Sequence, residues 1–78
     1  MYITYVLKSK KDNKLYIGYT KNIEARLEEH NHGLVNATKN RRPFEVVYFE
    51  ACRNKHKALQ REKYFKTGFG RRFLKTRI

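Results

Sequence analysis

The chain has 78 residues, and its nineteen Lys and Arg outnumber seven Asp and Glu, for a formal net charge of +12. This length allows one small domain with a modest core over residues 1–78. The single cysteine excludes a disulfide framework and a cysteine-based zinc site, and no run is apolar enough to span a membrane. Because no run could span a membrane, we expect a cytoplasmic protein with no membrane partner. Because so high a positive charge attracts polyanions, we expect a nucleic-acid partner.

The first two elements are predicted to be strands. Residues 2–8 read YITYVLK, a run rich in the β-branched and aromatic side chains that favour strands. Residues 15–20 read LYIGYT, and the turn-forming pair Asp12 and Asn13 lies between the two runs. The pattern predicts an antiparallel hairpin with a loop of several residues.

A helix is predicted to begin at Ile23. Asn22 precedes it as a capping residue, and Gly33 stands where a left-handed residue would end it. Its apolar stripe would comprise Ile23, Leu27 and Leu34. Beyond it, the polar and basic segment LVNATKNRRP is predicted to be a loop.

A third strand is predicted over residues 44–52, FEVVYFEAC. Simple alternation would place its apolar side chains on both faces, with Val46 and Tyr48 on one and Val47 and Phe49 on the other. We therefore expect this strand to be covered on both sides.

Two more helices are predicted after the third strand. Asn54 would cap the first of them, which would end near Gly68. The tail, GFGRRFLKTRI, would form the last helix, anchored by Phe69, Phe73 and Leu74. The order β-β-α-β-α-α predicts an α+β domain, a small three-stranded antiparallel sheet flanked by helices.

Three polar side chains are predicted to lie on inward helix faces. Helical spacing places Arg26 and His30 beside Ile23 and Leu27, and places Glu62 on the inward stripe of the next helix. Buried charges without partners cost free energy, so an Arg26–Glu62 salt bridge or wet stripe edges would explain them. The alternative is a concave site, in which Arg26 binds phosphate, Glu62 binds a hard cation and His30 moves a proton.

The hairpin adds two tyrosines and a glycine. Tyr5 and Tyr16 lie on adjacent strands, where packing alone would also explain them. Gly18 weakens a strand unless something approaches its backbone closely, and a phosphate backbone is one such group.

Taken together, these residues resemble the GIY-YIG nuclease motif. ITY at 3–5 and YIG at 16–18 are separated by ten residues and followed by Arg26, His30 and Glu62. The segments TKNRRPFEVVYFEA and ALQREKYFKTG are also similar to small single-domain members, so the resemblance covers essentially the whole chain. It implies one GIY-YIG-like domain, similar to the amino-terminal incision domain of the bacterial nucleotide-excision-repair excinuclease.

The resemblance implies a role for each residue of the motif. Tyr16 would position or deprotonate the attacking water, and Arg26 would hold the scissile phosphate. Glu62 would bind one divalent metal, Mg²⁺ or alternatively Mn²⁺. Tyr5 would complete a hydrogen-bonded pocket around Tyr16, and His30 would serve as general base or contact phosphate.

The implied function is a metal-dependent endonuclease that hydrolyses phosphodiester bonds in DNA, directed by structure or damage in repair or recombination. DNA is the expected partner, with RNA and the oligomeric state left open. The residues expected to bind nucleic acid are Gly18, Tyr19, Lys39, Arg41, Arg42, Arg71 and Arg72. The alternative is a nucleic-acid-binding module with weak or lost catalysis, because no Asn follows Asn54 to match the carboxyl-terminal Asn of many members.

Overall fold

The computed structural model describes residues 1–78 and contains three strands and three helices. Their bounds are β1 (Tyr2–Ser9), β2 (Leu15–Thr20), α1 (Ile23–Asn31), β3 (Phe44–Cys52), α2 (Lys55–Phe65) and α3 (Gly68–Lys75). A short 3₁₀ turn at Lys39–Arg41 lies before β3. The predicted order and the α+β class are confirmed. None of the helices has the length and apolar character needed to cross a membrane.

The three strands form one antiparallel sheet in the order β2-β1-β3. The central strand, β1, places Tyr5 opposite Gly18 of β2 and opposite Phe49 of β3. Because successive side chains of a strand point to opposite faces, Tyr5 and Val6 point to different sides of the sheet.

Each face of the sheet carries its own small core. On the Tyr5 face the cluster comprises Tyr5, Leu7 and Phe44, with Ile23 and Leu27 of α1 packed against it. On the Val6 face the cluster comprises Val6, Ile17, Phe65 of α2 and Leu74 of α3. Helix α1 therefore covers one side of the sheet, and α2 and α3 cover the other.

A β-bulge in β3 makes the predicted alternation wrong. Val6 pairs with Tyr48, but the next residue of β1, Leu7, pairs with Val46, so Val47 is an extra residue in β3. Val46 consequently packs on the Tyr5 face, whereas Val47 and Tyr48 both pack on the Val6 face. Simple alternation could not reveal a residue that the ladder skips.

The third strand is also covered less fully than predicted. It lies at the edge of the sheet, with β1 as its only neighbour. Phe49, opposite Tyr5, remains 53% exposed. The expectation that both faces of β3 are covered therefore holds for only part of the strand.

Helix α1 begins as predicted and ends earlier. The side chain of Asn22 accepts a hydrogen bond from the backbone N–H three residues later, which caps the helix. The helix ends at Asn31, and Gly33 has a φ of 75°, the predicted left-handed conformation. That turn takes the chain off the helix axis, so Leu34 is 72% exposed and the prediction that it joins the apolar stripe is wrong.

The boundary between α2 and α3 differs from the prediction. Helix α2 ends at Phe65, and Gly68 begins α3, because the Thr67 side chain accepts a hydrogen bond from a backbone N–H of the new helix. Leu74 is buried as expected, but Phe69 is 71% exposed and does not anchor the helix. Phe69 and Leu74 are five positions apart, about 140° around the helix axis, so they lie on different faces of α3.

An ion pair joins β3 to α2. Arg61 donates to Glu50 through Nε at 2.7 Å and through a second nitrogen at 3.1 Å. The same guanidinium lies over three aromatic rings, those of Tyr64, Phe65 and Phe73, at 4.7–5.4 Å. This pair, and not the Arg26–Glu62 pair considered from the sequence, ties a helix to the sheet.

Candidate active site

The hydroxyl of Tyr5 is the meeting point of β1 and α1. Tyr5 is 1% exposed, and its oxygen lies 2.9 Å from Nε2 of His30 and 3.4 Å from Nε of Arg26. Arg26 and His30 reach the same hydroxyl because residues four apart share one face of a helix. The structure therefore brings together three of the residues predicted from the sequence.

Donor directions fix the hydrogen-bond chain through this hydroxyl. A guanidinium only donates, so Tyr5 accepts from Arg26. Nε2 of His30 is the one acceptor hydrogen-bonded to the buried Tyr5 hydroxyl, so we assign the phenol proton to that bond. The proton of the His30 ring then lies on Nδ1, which donates to Oγ1 of Thr38 at 2.7 Å. The Thr38 hydroxyl donates in turn to the carbonyl of Val35 at 3.4 Å.

Burial sets the charge states along this chain. Burial is the main cause that raises the pKa of Tyr5, and burial also lowers the pKa of His30. The hydrogen bond to Tyr5 is the main cause that raises the pKa of Arg26. At neutral pH the three groups are therefore a protonated phenol, a neutral imidazole and a cation.

His30 lies behind the site and is not open to solvent. Its side chain is 0% exposed, and both ring nitrogens are occupied by Tyr5 and Thr38. The expectation that His30 contacts phosphate does not agree with this position. In the hydrogen-bonded row of side chains, His30 lies between Tyr5 and Thr38. It therefore holds the Tyr5 hydroxyl in position beside Arg26 and is a positioning residue.

Gly18 makes room for the Tyr5 ring. A Cβ built on Gly18 would collide with the hydroxyl and the ring carbons of Tyr5, its cross-strand partner. Glycine was predicted here to admit a phosphate backbone, and that reason is wrong. The group that crosses the backbone of β2 at this point is the tyrosine side chain itself.

Tyr16 lies against His30 and borders an open groove. Its ring meets the His30 ring edge-on, with centroids 5.1 Å apart. The groove, of about 290 Å³, is lined by Leu15, Tyr16, Ile17, Lys66 and Arg71. No hydrogen bond joins Tyr16 to Tyr5, so the predicted bonded pocket around Tyr16 is wrong, and the Tyr16 hydroxyl has no partner within the protein.

Glu62 lies on α2, on the other side of the sheet, and lines a separate surface pocket with His56, Leu59, Gln60 and Lys63. Its carboxylate is 22% exposed and pairs with Lys66 at 3.4 Å. Arg26 pairs instead with Glu29, at 3.2 Å. The charge of Glu62 nevertheless acts on Tyr5, where it helps to raise the pKa of the phenol.

The protein contains no group of three or more His, Cys, Asp or Glu side chains that could hold a metal ion. Glu62 is thus not part of a preformed cluster of metal ligands. Mg²⁺ is commonly bound by one or two carboxylates, with water and substrate phosphates as the remaining ligands. The donor set fits a metal that arrives with the substrate better than one held in a complete protein cage.

Of the basic residues near the 3₁₀ turn that were predicted to bind nucleic acid, Arg41 is in an ion pair, whereas Lys39 and Arg42 line a groove. Arg41 pairs with Asp12 at 2.8 Å, and this pair is the main cause that lowers the pKa of Asp12. Lys39 and Arg42 border a surface groove of about 390 Å³. That groove is lined by Lys11, Asn31, Lys39, Asn40, Arg42 and Pro43, none of which was predicted to be catalytic.

The remaining predicted contacts lie on the Val6 side of the sheet. Tyr19 is opposite Thr4 in the register and stacks on Tyr2 with ring centroids 6.4 Å apart, so it does not join Tyr5. Its hydroxyl is buried without a hydrogen-bond partner. Arg71 borders the Tyr16 groove, and Arg72 is in the last turn of α3.

Two residues of the site were missed from the sequence. Glu29 lies three residues after Arg26 in a helix, so helical spacing could have identified it as an ion-pair partner. Thr38 belongs to a segment predicted only as a polar loop, and its side chain is nevertheless 0% exposed against His30. No local pattern marks a loop hydroxyl that folds back onto a helix.

Comparison with known proteins finds similar sequences and a similar fold over most of this chain. The family model described as the GIY-YIG catalytic domain matches residues 1–75. A UPF0213 protein of Clostridium perfringens is 45% identical over 67 residues, covering 85% of this chain and 71% of that protein. A UPF0213 protein of Staphylococcus haemolyticus is 48% identical over 64 residues, covering 81% and 77% respectively. The solution NMR structure of a UPF0213 protein from Bacillus halodurans has a TM-score of 0.60 and 29% identity, covering 97% of this chain and 84% of that chain.

Proposed function

The chain belongs to the GIY-YIG family of nuclease domains, and we propose that it is a metal-dependent endonuclease that hydrolyses phosphodiester bonds in DNA. One observation carries the proposal. The Tyr5 hydroxyl is hydrogen-bonded to both His30 and Arg26, within the electrostatic reach of Glu62. A buried phenol that fixes a partly exposed guanidinium suits phosphate chemistry better than simple packing.

Arg26 is the residue that would hold the scissile phosphate. Its side chain is one-third exposed, and the Tyr5 bond at Nε fixes the plane of the guanidinium. Glu29 occupies one terminal nitrogen, and the other makes no hydrogen bond within the protein. A phosphate would bind the open nitrogen and replace Glu29 at its neighbour, and the fixed cation would offset charge that grows in the transition state.

Tyr16 is the residue that would position the attacking water. Its hydroxyl is free of protein partners, and Tyr16 is one of the residues that line the groove of about 290 Å³. His30 is enclosed behind Tyr5, so its contribution is to hold Tyr5 and Arg26 in place. In this proposal the water oxygen forms the new P–O bond while its proton passes to solvent water in the open groove beside Tyr16.

Glu62 would hold the divalent metal, Mg²⁺ or Mn²⁺. The ion pair between Glu62 and Lys66 is a partly exposed i,i+4 pair, which costs little to open. When bound, the metal would supply positive charge that stabilises the leaving oxygen.

The substrate is proposed to be DNA with an irregular structure, cut during repair or recombination. Only four of the nineteen Lys and Arg side chains form ion pairs, so most of the cationic surface is open to phosphates. Phosphate contacts position a protein on nucleic acid without reading its sequence. Weak sequence preference is therefore expected, with RNA kept as the alternative polymer.

A nicking assay tests the proposal directly. Supercoiled, branched and single-stranded DNA are incubated with the parent protein in Mg²⁺, in Mn²⁺ and in chelator. We expect cleavage with either metal and none in chelator. Glu62→Gln should abolish cleavage while DNA binding in chelator persists, because the amide keeps the shape and removes the charge.

The matched control is Glu28→Gln, an exposed carboxylate of α1 that makes no ion pair. It changes the net charge by the same amount and should cut at the parent's rate. Equal cutting by Glu62→Gln would overturn the site. DNA binding without cleavage in any metal or substrate would favour the alternative, a binding module with lost catalysis.

A further inference from the structure

Phe69 is an exposed aromatic side chain on the first turn of α3. It is 71% exposed, although α3 buries Leu74 completely on its other face. The guanidinium of Arg72 lies over its ring, with Cζ 4.7 Å from the ring centroid. This cation covers one face of the ring, and the high exposure leaves the remainder open to a flat partner.

Two cations near this ring border the groove beside Tyr16. The groove beside Tyr16 is bordered on its far side by Lys66 and Arg71, which lie just before and within α3. Arg71 is exposed and makes no ion pair. Phe69 is two residues before Arg71 along the chain. Because residues two apart in a helix point to opposite sides of its axis, a strand bound at this groove would have to pass around the start of α3 to reach Phe69.

We propose that Phe69 and Arg72 form a stacking platform for an unpaired base of the DNA substrate, whose backbone follows Lys66 and Arg71 to Tyr16. An aromatic side chain beside cations is the combination that binds single-stranded nucleic acid, and Arg adds a cation–π contribution. A base inside a duplex is already stacked on both faces and cannot lie on the ring. The platform therefore selects single strands, flaps and frayed ends over intact duplex.

This inference rests on the proposed function, because it names the substrate class of the same site. It is tested by binding in chelator, where no cleavage takes place. The chain contains no Trp, so Phe69→Trp introduces a single fluorescent reporter at the platform. Leu34→Trp is the matched control, since Leu34 is 72% exposed and lies beyond the end of α1.

The titrations use an oligo-dT single strand and a blunt duplex of the same length. We expect the oligo-dT to quench the tryptophan fluorescence of the Phe69→Trp variant strongly and the duplex to quench it little, with neither ligand quenching the Leu34→Trp variant. Phe69→Ala should weaken oligo-dT binding by about tenfold, a typical loss for one stacked base, and leave duplex binding within about twofold of the parent.

Three results would overturn the platform. They are equal quenching by duplex and single strand, equal quenching in the Phe69→Trp and Leu34→Trp variants, and an oligo-dT affinity unchanged by Phe69→Ala. Stronger quenching by oligo-U than by oligo-dT would overturn the assignment to DNA. Selective quenching in a protein that never cuts would support the platform and contradict the proposed endonuclease activity. Cutting without quenching would support the endonuclease activity and contradict the platform.

Discussion

Tyr5 and Gly18 are a matched pair, and their relation shows how one residue can specify another across a sheet. The buried phenol must cross the backbone of β2 to reach Arg26 and His30, and only glycine leaves that space. The glycine of the motif therefore has a reason within the protein, independent of any ligand.

We expect Gly18→Ala to lower the free energy of unfolding by about 1–3 kcal/mol, because the new methyl group overpacks the Tyr5 ring. Gly68→Ala is the control, since a Cβ there meets no atom within 4 Å. That variant should be neutral or stabilise the protein by up to about 1 kcal/mol. Chemical denaturation of both variants gives the comparison, and an unchanged midpoint for Gly18→Ala would show that Tyr5 does not occupy this space.

His30 makes stability depend on pH. Burial lowers its pKa from the usual 6.5, so the unfolded chain takes up a proton on this residue at a higher pH than the folded chain does. Its contribution to stability is fully present above about pH 6.5 and is lost as the pH falls through the lowered, folded pKa.

We therefore expect His30→Gln to flatten the fall in unfolding free energy between about pH 7 and pH 5. His32→Gln and His56→Gln replace exposed histidines and should keep the slope of the parent. Urea unfolding at several pH values measures the slope. A slope that survives in His30→Gln and disappears in either control would place the titrating histidine elsewhere.

At the scale of elements, local patterns were sufficient for most of the fold. Strand composition identified β1 and β2, and the capping residues Asn22 and Asn54 marked where α1 and α2 begin, since each signal acts within a few residues. The bulge at Val47 could not be predicted, because it depends on how two distant strands pair.

In the candidate site, too, local patterns predicted some features, and features that depend on distant segments could not be predicted. Helical spacing placed Arg26 and His30 on one inward face, and the structure brings both to Tyr5. Spacing could not show that His30 would be sealed off, because that depends on Thr38 in the loop before β3. Helical spacing also says nothing about Tyr19, whose side of the sheet depends on the register between β1 and β2.

The loop is expected to stabilise the site through Thr38. Thr38→Val removes the acceptor for His30 Nδ1 and leaves a buried N–H unpaired, which should cost about 1–3 kcal/mol of unfolding free energy. Thr38→Ser keeps the hydroxyl and should lose much less. The exposed Thr76→Val serves as the control in thermal or urea unfolding. Equal losses in the Val and Ser variants would mean that packing, and not the hydrogen bond, is what matters.

At the scale of the whole molecule, the positive charge is spread over the surface, whereas the candidate active site is confined to a few residues. Most of the cations are dispersed and unpaired, whereas Arg26 alone among them is fixed by a buried phenol. Binding should therefore depend on many residues, each contributing a little, and catalysis on very few. A substitution that keeps the charge of Arg26 but changes its geometry separates the two.

The most direct measurement is the single-turnover cleavage rate of Arg26→Lys, beside its DNA dissociation constant in chelator. Lysine retains the charge but lacks the planar fork and the Nε–H that Tyr5 accepts. Arg53→Lys, at an exposed position without an ion pair, is the control and should behave as the parent. The account predicts a rate about 100-fold lower or more, with the dissociation constant within about threefold of the parent. Cleavage by Arg26→Lys at the parent's rate would contradict it.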